Sequence, residues 1–451
     1  MTEGPILGRM ILFTLPVIAT GVIQLLFNAA DLAVVGQFTG KAAMGAVGCC
    51  GALINLIVNL FMGLSVGAGV MAAQDIGAKR YDSVHRLANT AVSTSLVGGL
   101  AVGIIGFVAT RPMLTLMGTP DDVLEEAVPY MRAYFCGMPG CLLYNFLASI
   151  LRSNGDTKRP LLFLSLSGLA NVGLNFAMVL GLHLGALGVG IATAVSQYIS
   201  AAMILVYMLR VDGCCRITGL SVDMAKLKKM ILIGLPAGLQ GTLFSLSNVI
   251  VQSSINSYGT TVVAGNTAGS NLDGFLYIAM NSVYHTALTF VGQNMGAGKY
   301  RRIKKISLEC VGLVTFIGVV LGAVLVLLGD KMLLIYAPGA ENADVVKAGM
   351  NRLLVMGTSY FLCGRMDVGC GLLRGMGKTI LPMIVSLVGS CVFRIGWIML
   401  VCPQFPGNIL VLYISYPISW AITAGVHYGC LAYFYRKLIR KSTGAATVAP
   451  V

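Results

Sequence analysis

Residues 11–35 read ILFTLPVIATGVIQLLFNAADLAVV, an apolar run of 25 residues in which Asp31 is the one charged side chain. A helix rises about 1.5 Å per residue, so this run is long enough to cross a bilayer. A carboxylate at membrane depth costs about 2.5–3.5 kcal/mol on insertion scales, and chains keep one mainly where it lines a cavity or binds a cation. Asn28 shares a helix face with Asp31, and Pro16 is a usual place for a kink. Two interpretations stay open: a cation site, or a carboxylate near the helix end that reaches interfacial water.

The composition of the whole chain is that of a membrane protein. Of 451 residues, 57% are apolar and 11% are charged, and the mean hydropathy is +0.84. A soluble chain carries about 25% charged residues. The first apolar run is too long for a signal peptide and lacks a small-residue cleavage site, so we expect it to remain as a span. The 12 cysteines lie mostly in apolar runs, and the adjacent Cys214 and Cys215 lack the spacing of metal ligands.

Eleven further apolar runs follow the first, which predicts an all-α integral membrane protein with twelve transmembrane helices. The predicted spans are about 11–35, 47–73, 87–110, 131–151, 161–182, 187–209, 230–251, 262–291, 306–328, 353–373, 381–402 and 409–435. A polar, basic loop at 210–229 separates the sixth span from the seventh.

The basic residues predict the orientation of these spans. With the N-terminus inside, 23 of the 31 Lys and Arg residues fall in inner segments and 4 in outer loops. This is a strong positive-inside signal, so we expect a multi-pass protein of the cytoplasmic membrane with both termini in the cytoplasm. The formal net charge of +14 then comes from basic residues that determine the topology and lie next to anionic lipid. We therefore expect the lipid bilayer as a partner and no nucleic acid.

The chain repeats itself at a spacing of about 220 residues, with four sequence blocks in the same order. The first block, Leu15-Pro16 with Gly21 and Asn28, recurs as Leu235-Pro236 with Gly241 and Asn248, and the second, Gln74, Gly77, Ala78 and Tyr81, recurs as Gln293, Gly296, Ala297 and Tyr300. The third block is Arg132, which recurs as Arg352. The fourth, Leu151-Arg152, Gly155, Thr157 and Pro160, recurs as Leu373-Arg374, Gly377, Thr379 and Pro382. Six spans separate the copies, which predicts two pseudo-symmetric six-helix bundles related by an axis along the membrane normal, as in transporters. The predicted domains are an N-lobe at 5–210, a cytoplasmic linker at 211–229, a C-lobe at 230–440 and a flexible tail at 441–451.

Over residues 5–440 the chain resembles the multidrug and toxic compound extrusion (MATE) family. The residues that carry the resemblance are Pro16…Asn28-x-x-Asp31…Gly36, Gln74-x-x-Gly77-Ala78…Tyr81, Leu151-Arg152-x-x-Gly155-x-Thr157…Pro160, Gly188-x-Gly190-Ile191-Ala192-Thr193 and Leu373-Arg374-Gly375-x-Gly377-Lys378-Thr379…Pro382. The resemblance implies a secondary active antiporter that exports bulky, often cationic organic compounds in exchange for H⁺ or Na⁺.

The family's N-lobe cation site combines a span-one aspartate, an Asn-x-x-x-Asp pair in span five and a span-six threonine. The resemblance places these at Asp31, Asn171, Asn175 and Thr193, with Asn28 as a further cation-coupling candidate. Asn175 stands where the family has a second carboxylate; its amide offers a carbonyl oxygen to sodium but cannot take up a proton. If the coupling ion is Na⁺, the expected ligands are Asp31, Asn171, Asn175 and Thr193. The alternative for the two amides is a role in interhelical hydrogen bonds.

The C-terminal half carries its own charges within apolar runs. Asp273, Asp367 and Arg394, together with Asn248, are candidates for the substrate cavity. Asp367 and Arg394 are open to two interpretations, as a structural pair and as part of the substrate route. For Asp273 the two interpretations are attraction of a cationic substrate and pairing with Arg394.

The sequence offers no catalytic constellation, so we expect no enzyme and no cofactor beyond H⁺ or Na⁺ as coupling ion. The four histidines are scattered, and the glycine-rich pieces at 63–69 and 375–379 lack the GxxxxGK[ST] pattern of a phosphate loop. We therefore expect a monomer that acts on a small organic substrate. The alternative is a flippase for lipid-linked saccharides from the same superfamily.

Overall fold

The computed structural model describes residues 1–39, 41–336, 339 and 342–446, and within them every regular element is a helix. The first half contains α1 (Ile6–Phe38), α2 (Lys41–Gly77), α3 (Tyr81–Leu116), α4a (Asp121–Cys136), α4b (Met138–Ser153), α5 (Lys158–Phe176, continued by a π-helical turn at Ala177–Gly181) and α6 (Gly185–Arg210). The second half contains α7 (Met224–Asn256), α8 (Thr260–Gly296), α9 (Tyr300–Leu333), α10 (Ala343–Gly375), α11 (Ile380–Ser386, the π-helical turn Leu387–Val392 and Phe393–Leu400) and α12 (Ile409–Ala446).

Counted with α4a and α4b as one bent helix, the described chain has twelve long helical segments, as the sequence predicts. Nine of them are long and apolar enough to cross a membrane, and the pair α4a and α4b, bent by 45°, makes a tenth. The other two, α8 and α10, are 37 and 33 residues long. They carry buried polar side chains such as Asn266, Asp273 and Arg352, and these lower the mean hydropathy of both helices. Polar side chains are tolerated in such helices because they are surrounded by protein and not by lipid.

The repeated sequence blocks fold into the same turns. After α2, the Ala78 amide donates to the Gln74 carbonyl at 3.0 Å and Lys79 adopts a φ of 57°. After α8, the Ala297 amide donates to the Gln293 carbonyl at 2.9 Å and Gly298 adopts a φ of 67°. The two turns thus share a left-handed residue at the same place, and glycine fills it without strain in the second copy.

The chain divides into two compact units, one of Leu15–Thr242 and one of Met1–Thr14 with Leu243–Val451. The lobe boundaries at 5–210 and 230–440 stay a prediction. The last helix reaches Ala446, and the rest of the predicted tail, 447–451, lies outside the described residues.

Glycines form a close helix crossing inside the unit Leu15–Thr242. A Cβ added to Gly63 of α2 would lie 2.0 Å from the backbone nitrogen of Gly238 on α7. A Cβ on Gly67, one turn further along α2, would lie 2.5 Å from the Met230 carbonyl oxygen. Small residues let two membrane helices pack backbone to backbone, so the glycines at 63–69 serve close helix packing and not phosphate binding.

Candidate functional site

Asp31 lies on α1, about two turns before the helix ends at Phe38, and its side chain is half-buried. The Asn175 side-chain amide donates a hydrogen bond of 2.5 Å to Asp31 Oδ1. The Thr193 side chain of α6 also lies close to Asp31. The carboxylate is therefore held between α1, α5 and α6, rather than pointing freely to water.

The two amides of α5 are positioned by their spacing. Asn171 and Asn175 are four residues apart, which puts them on one face of the helix. Both are buried, and the Asn175 amide donates to Asn171 Oδ1 at 3.3 Å as well as to Asp31. The three residues therefore form one chain of hydrogen bonds, from Asn171 through Asn175 to Asp31.

Asn175 Oδ1 is buried and has no hydrogen-bond partner among the residues that the structure describes. A buried acceptor without a partner costs free energy and calls for an explanation, such as an ion that binds there. Hard cations are bound by carboxylate and carbonyl oxygens. Asp31, Asn171 and Thr193 offer oxygens here, whereas Asn175 turns its amide nitrogen toward Asp31. With the Asn175 amide turned round, the four side chains would fit a small cation, and the carboxylate alone fits a proton.

The Thr193 hydroxyl can donate only one hydrogen bond at a time. Its hydroxyl donates to the Val189 carbonyl at 2.9 Å, and a hydroxyl has a single proton but two acceptor lone pairs. While that bond persists, the Thr193 oxygen is available as an acceptor, which suits a cation held next to Asp31.

The structure brings together four of the five predicted coupling residues and leaves out Asn28. Asn28 is exposed on α1, and its side chain makes no hydrogen bond to Asp31 in the described part of the chain. No group of three or more His, Cys, Asp or Glu side chains able to hold a metal occurs among the described residues. The site thus depends on one carboxylate and neutral oxygens.

Two tyrosines next to Asp31 are not apparent from the sequence as members of the site. Tyr130 and Tyr134 lie on α4a, close enough to Asp31 for its charge to act on both phenols. Tyr130 is buried in a cluster with Cys50, Ala127 and Val189. The i,i+4 spacing of the two tyrosines on an amphipathic helix is the one available signal, and it repeats the spacing of the two asparagines.

In the second half, Asp273 pairs with Arg352 and not with Arg394. Arg352 Nη2 lies 2.8 Å from Asp273 Oδ2, and Arg352 Nε donates to the same oxygen at 3.0 Å. Arg352 Nη1 donates to Asn266 Oδ1 at 2.8 Å, where the Tyr413 hydroxyl also donates at 3.2 Å. This buried network connects α8, α10 and α12, and its charges neutralise each other.

Asp367, Arg394 and Asn248 do not form a common site in the described residues. Arg394 donates to Ser419 Oγ at 3.0 Å and stacks over Tyr416, with its carbon Cζ 4.2 Å from the ring centre. Among the described residues Asp367 makes no salt bridge with Arg394; the charge of Arg374 acts on its carboxyl, and its Oδ2 is buried without a hydrogen-bond partner. Asn248 is exposed on α7.

Comparison with known proteins agrees with this architecture. Residues 16–177 and 236–400 match the family model MatE. A Bacillus subtilis protein, probable multidrug resistance protein YoeA, is 25% identical over 439 residues, which cover 95% of this chain and 94% of that protein. The probable multidrug resistance protein NorM of Thermotoga maritima is 23% identical and covers 86% of this chain and 84% of its own length.

Solved structures share the fold at low sequence identity. An outward-facing multidrug resistance MATE family transporter of the MOP superfamily superposes with a TM-score of 0.90 at 20% identity, over 96% of this chain and 97% of its own. A MOP superfamily transporter from Pyrococcus furiosus, described as having a binding pocket of reversed polarity, gives a TM-score of 0.89 at 20% identity, over 97% of each chain.

Proposed function

The chain belongs to the MatE family of membrane transporters, and from this premise we propose that it is a secondary active antiporter. It exports bulky, cationic organic compounds and takes in H⁺ or Na⁺ in exchange. The chain has no ATP-hydrolysing motif in its sequence, so an ion gradient supplies the energy.

The observation that carries the proposal is the Asp31 site, with its one carboxylate and the unpartnered Asn175 oxygen. A bound H⁺ or Na⁺ neutralises Asp31, and without that ion the site is negative and attracts an organic cation. Ion and substrate then exclude one another. Coupling arises because each binds one conformation of the protein more tightly than the other.

A rotation of the Asn175 side chain would adapt the site to its ion. When Asp31 is charged and no ion is bound, the amide nitrogen faces the carboxylate, in the arrangement described above. When Na⁺ binds, the same amide can turn its oxygen toward the ion, because the two ends of the group differ only in donor and acceptor character. A single carboxylate carries one negative charge, so the exchange involves one monovalent ion at this site.

The chain acts as a monomer in the cytoplasmic membrane, with both termini and the loop 210–229 in the cytoplasm. The support is the distribution of Lys and Arg along the sequence. The orientation is tested by a cysteine at Leu220, which is 74% exposed, in a protein cleared of its native cysteines. An impermeant thiol reagent must label it only after the membrane is opened; labelling from outside in intact cells contradicts the orientation.

Transport is tested with purified protein in liposomes and a fluorescent cationic dye. An inward-directed Na⁺ or H⁺ gradient is expected to drive the dye in the opposite direction, and dissipating that gradient must stop the movement. If the dye is not moved by either gradient while a fluorescent lipid-linked saccharide is turned over between leaflets, the chain is a flippase and the proposal fails.

A further inference from the structure

A tight turn in the linker between α6 and α7 presents two thiols side by side. The Arg216 amide donates to the Gly213 carbonyl at 3.1 Å, which closes a β-turn with Cys214 and Cys215 as its central residues. Their sulfur atoms are 3.8 Å apart and share a hydrogen bond. Neither cysteine forms a disulfide.

The two thiols have different surroundings. Cys215 is 3% exposed, whereas Cys214 is half-exposed and donates to Asn154 Oδ1 at 3.4 Å. The hydrogen bond from Cys215, followed by a backbone hydrogen bond and the nearby His85, lowers the pKa of the Cys214 thiol to about 7, against the opposing effect of burial. Cys214 is therefore the more readily ionised of the two thiols and the more accessible to reagents.

The separation of the sulfurs decides what can bind them. A disulfide requires a distance of about 2.05 Å, so oxidation would have to distort the turn. A metal ion would need more ligands, and no third His, Cys, Asp or Glu in the described chain completes a metal cluster. A reagent that bonds both sulfurs through one central atom does not require the sulfurs to touch, so the turn need not be distorted. If that atom carries its own third substituent, it also needs no further ligand from the protein.

We propose that Cys214 and Cys215 form a dithiol site for thiophilic trivalent arsenicals. An arsenical of the form R–As=O reacts with both sulfurs: two As–S bonds form, the As–O bond breaks, and the oxygen leaves as water with two protons, one from the Cys215 thiol and one from the Cys214 thiol or, where that thiol is ionised, from solvent. Nothing is oxidised or reduced. The Cys214 thiolate attacks first, and Cys215 closes the ring from its buried position.

The site lies outside the transport machinery described above and outside the matched segments 16–177 and 236–400. Its turn is fixed to α3, where His85 Nδ1 lies 2.8 Å from the Arg216 carbonyl oxygen and the Asn89 amide donates to Thr218 Oγ1 at 3.0 Å. The buried Ile217 amide also donates to the Met208 carbonyl of α6 at 2.9 Å. This support holds the two sulfurs in place before a ligand arrives.

The test uses phenylarsine oxide on the purified full-length protein, with intact-protein and peptide mass spectrometry. One phenylarsenic group per chain is expected on the peptide with Cys214 and Cys215. A dithiol such as ethanedithiol should remove it, and an excess of a monothiol should not. Cys214→Ser and Cys215→Ser should each weaken binding about 100-fold or more, because either change removes the two-point attachment.

The matched control is the other adjacent pair, Cys49 and Cys50, which lies within the apolar span of α2. The variant Cys49→Ser/Cys50→Ser should bind phenylarsine oxide as the wild type does. A measurement on the unaltered protein guards against misfolded variants: stoichiometric phenylarsine oxide should protect Cys214 from iodoacetamide. An adduct on another cysteine pair, undiminished binding in Cys214→Ser, or no protection of Cys214 overturns the proposal.

Discussion

The Asn175 side chain donates a hydrogen bond to the carboxylate of Asp31 across 144 positions of sequence, and its own oxygen is buried without a hydrogen-bond partner in the described part of the chain. This contact makes α5 sensitive to the charge on α1. On the proposed function, a neutral or cation-bound Asp31 would no longer need the amide nitrogen, and loading of the site would change how the two helices are held together.

Asn175→Asp should make transport more dependent on sodium. The substitution places two carboxylates in contact, and their repulsion is relieved when a cation or a proton binds between them. We expect a lower Na⁺ concentration for half-maximal dye efflux, with folding retained because the side chains are nearly the same size. The control is Asn28→Asp, which adds the same charge at an exposed position of α1. Equal sodium dependence in both variants would count against the site.

Thr193→Val should weaken cation loading, and Thr193→Ser should not. Valine keeps the shape but removes the hydroxyl oxygen that faces Asp31. The loss of one hydrogen-bonding or ligand oxygen is worth about 1 kcal/mol, or roughly a fivefold change in affinity. The measurement is the ion concentration that drives half-maximal efflux. If valine and serine behave alike, the Thr193 hydroxyl has no part in loading.

Asp273→Asn should destabilise the protein, because it leaves the Arg352 guanidinium buried without its carboxylate. Removing one partner of a buried pair costs about 3–5 kcal/mol. The double variant Asp273→Leu/Arg352→Met removes both charges and should recover most of that loss. Thermal unfolding of the purified proteins measures the difference. A double variant that is as unstable as the sum of the two single variants would show that the charges do not act as a pair.

Gly63→Ala should disrupt the crossing of α2 and α7, because the new Cβ would fall 2.0 Å from the Gly238 nitrogen. Overpacking of this kind costs about 1–3 kcal/mol or more. Gly48→Ala, in the same helix but with open space around it, is the control and should be neutral or mildly stabilising. Membrane abundance and thermal unfolding report the outcome, and equal behaviour of the two variants would argue against the close approach.

Much of the fold could be predicted from the sequence because bilayer thickness and backbone hydrogen bonding allow few solutions for an apolar chain. The repeated blocks after α2 and α8 fold into matching turns at Lys79 and Gly298, since similar residues in the same order favour the same backbone. The i,i+4 spacing of Asn171 and Asn175 likewise predicts a shared helix face.

The partners across helices could not be predicted in the same way. Asp273 and Arg352 are 79 positions apart, and charge alone allows Arg394 as the partner equally well. Asn28 has the right spacing from Asp31 along α1, yet it is exposed and makes no hydrogen bond to Asp31 in the described chain. Side chains at i,i+3 still differ in direction by a rotation about the helix axis, and tertiary packing decides which of them enters the site. In the sequence, the tyrosines of α4a look like ordinary core residues of an amphipathic helix, and only the folded structure brings them near Asp31.

The most direct test of the account is gradient-driven dye efflux by Asp31→Asn in energised cells, with membrane abundance measured in parallel. The substitution keeps the shape and removes the one charge of the site, so the account predicts normal insertion and loss of ion-driven export. Glu125→Gln, which removes a carboxylate at an exposed position, should export as the wild type does. Wild-type export by Asp31→Asn at equal abundance would mean that Asp31 is an interfacial residue and that coupling occurs elsewhere.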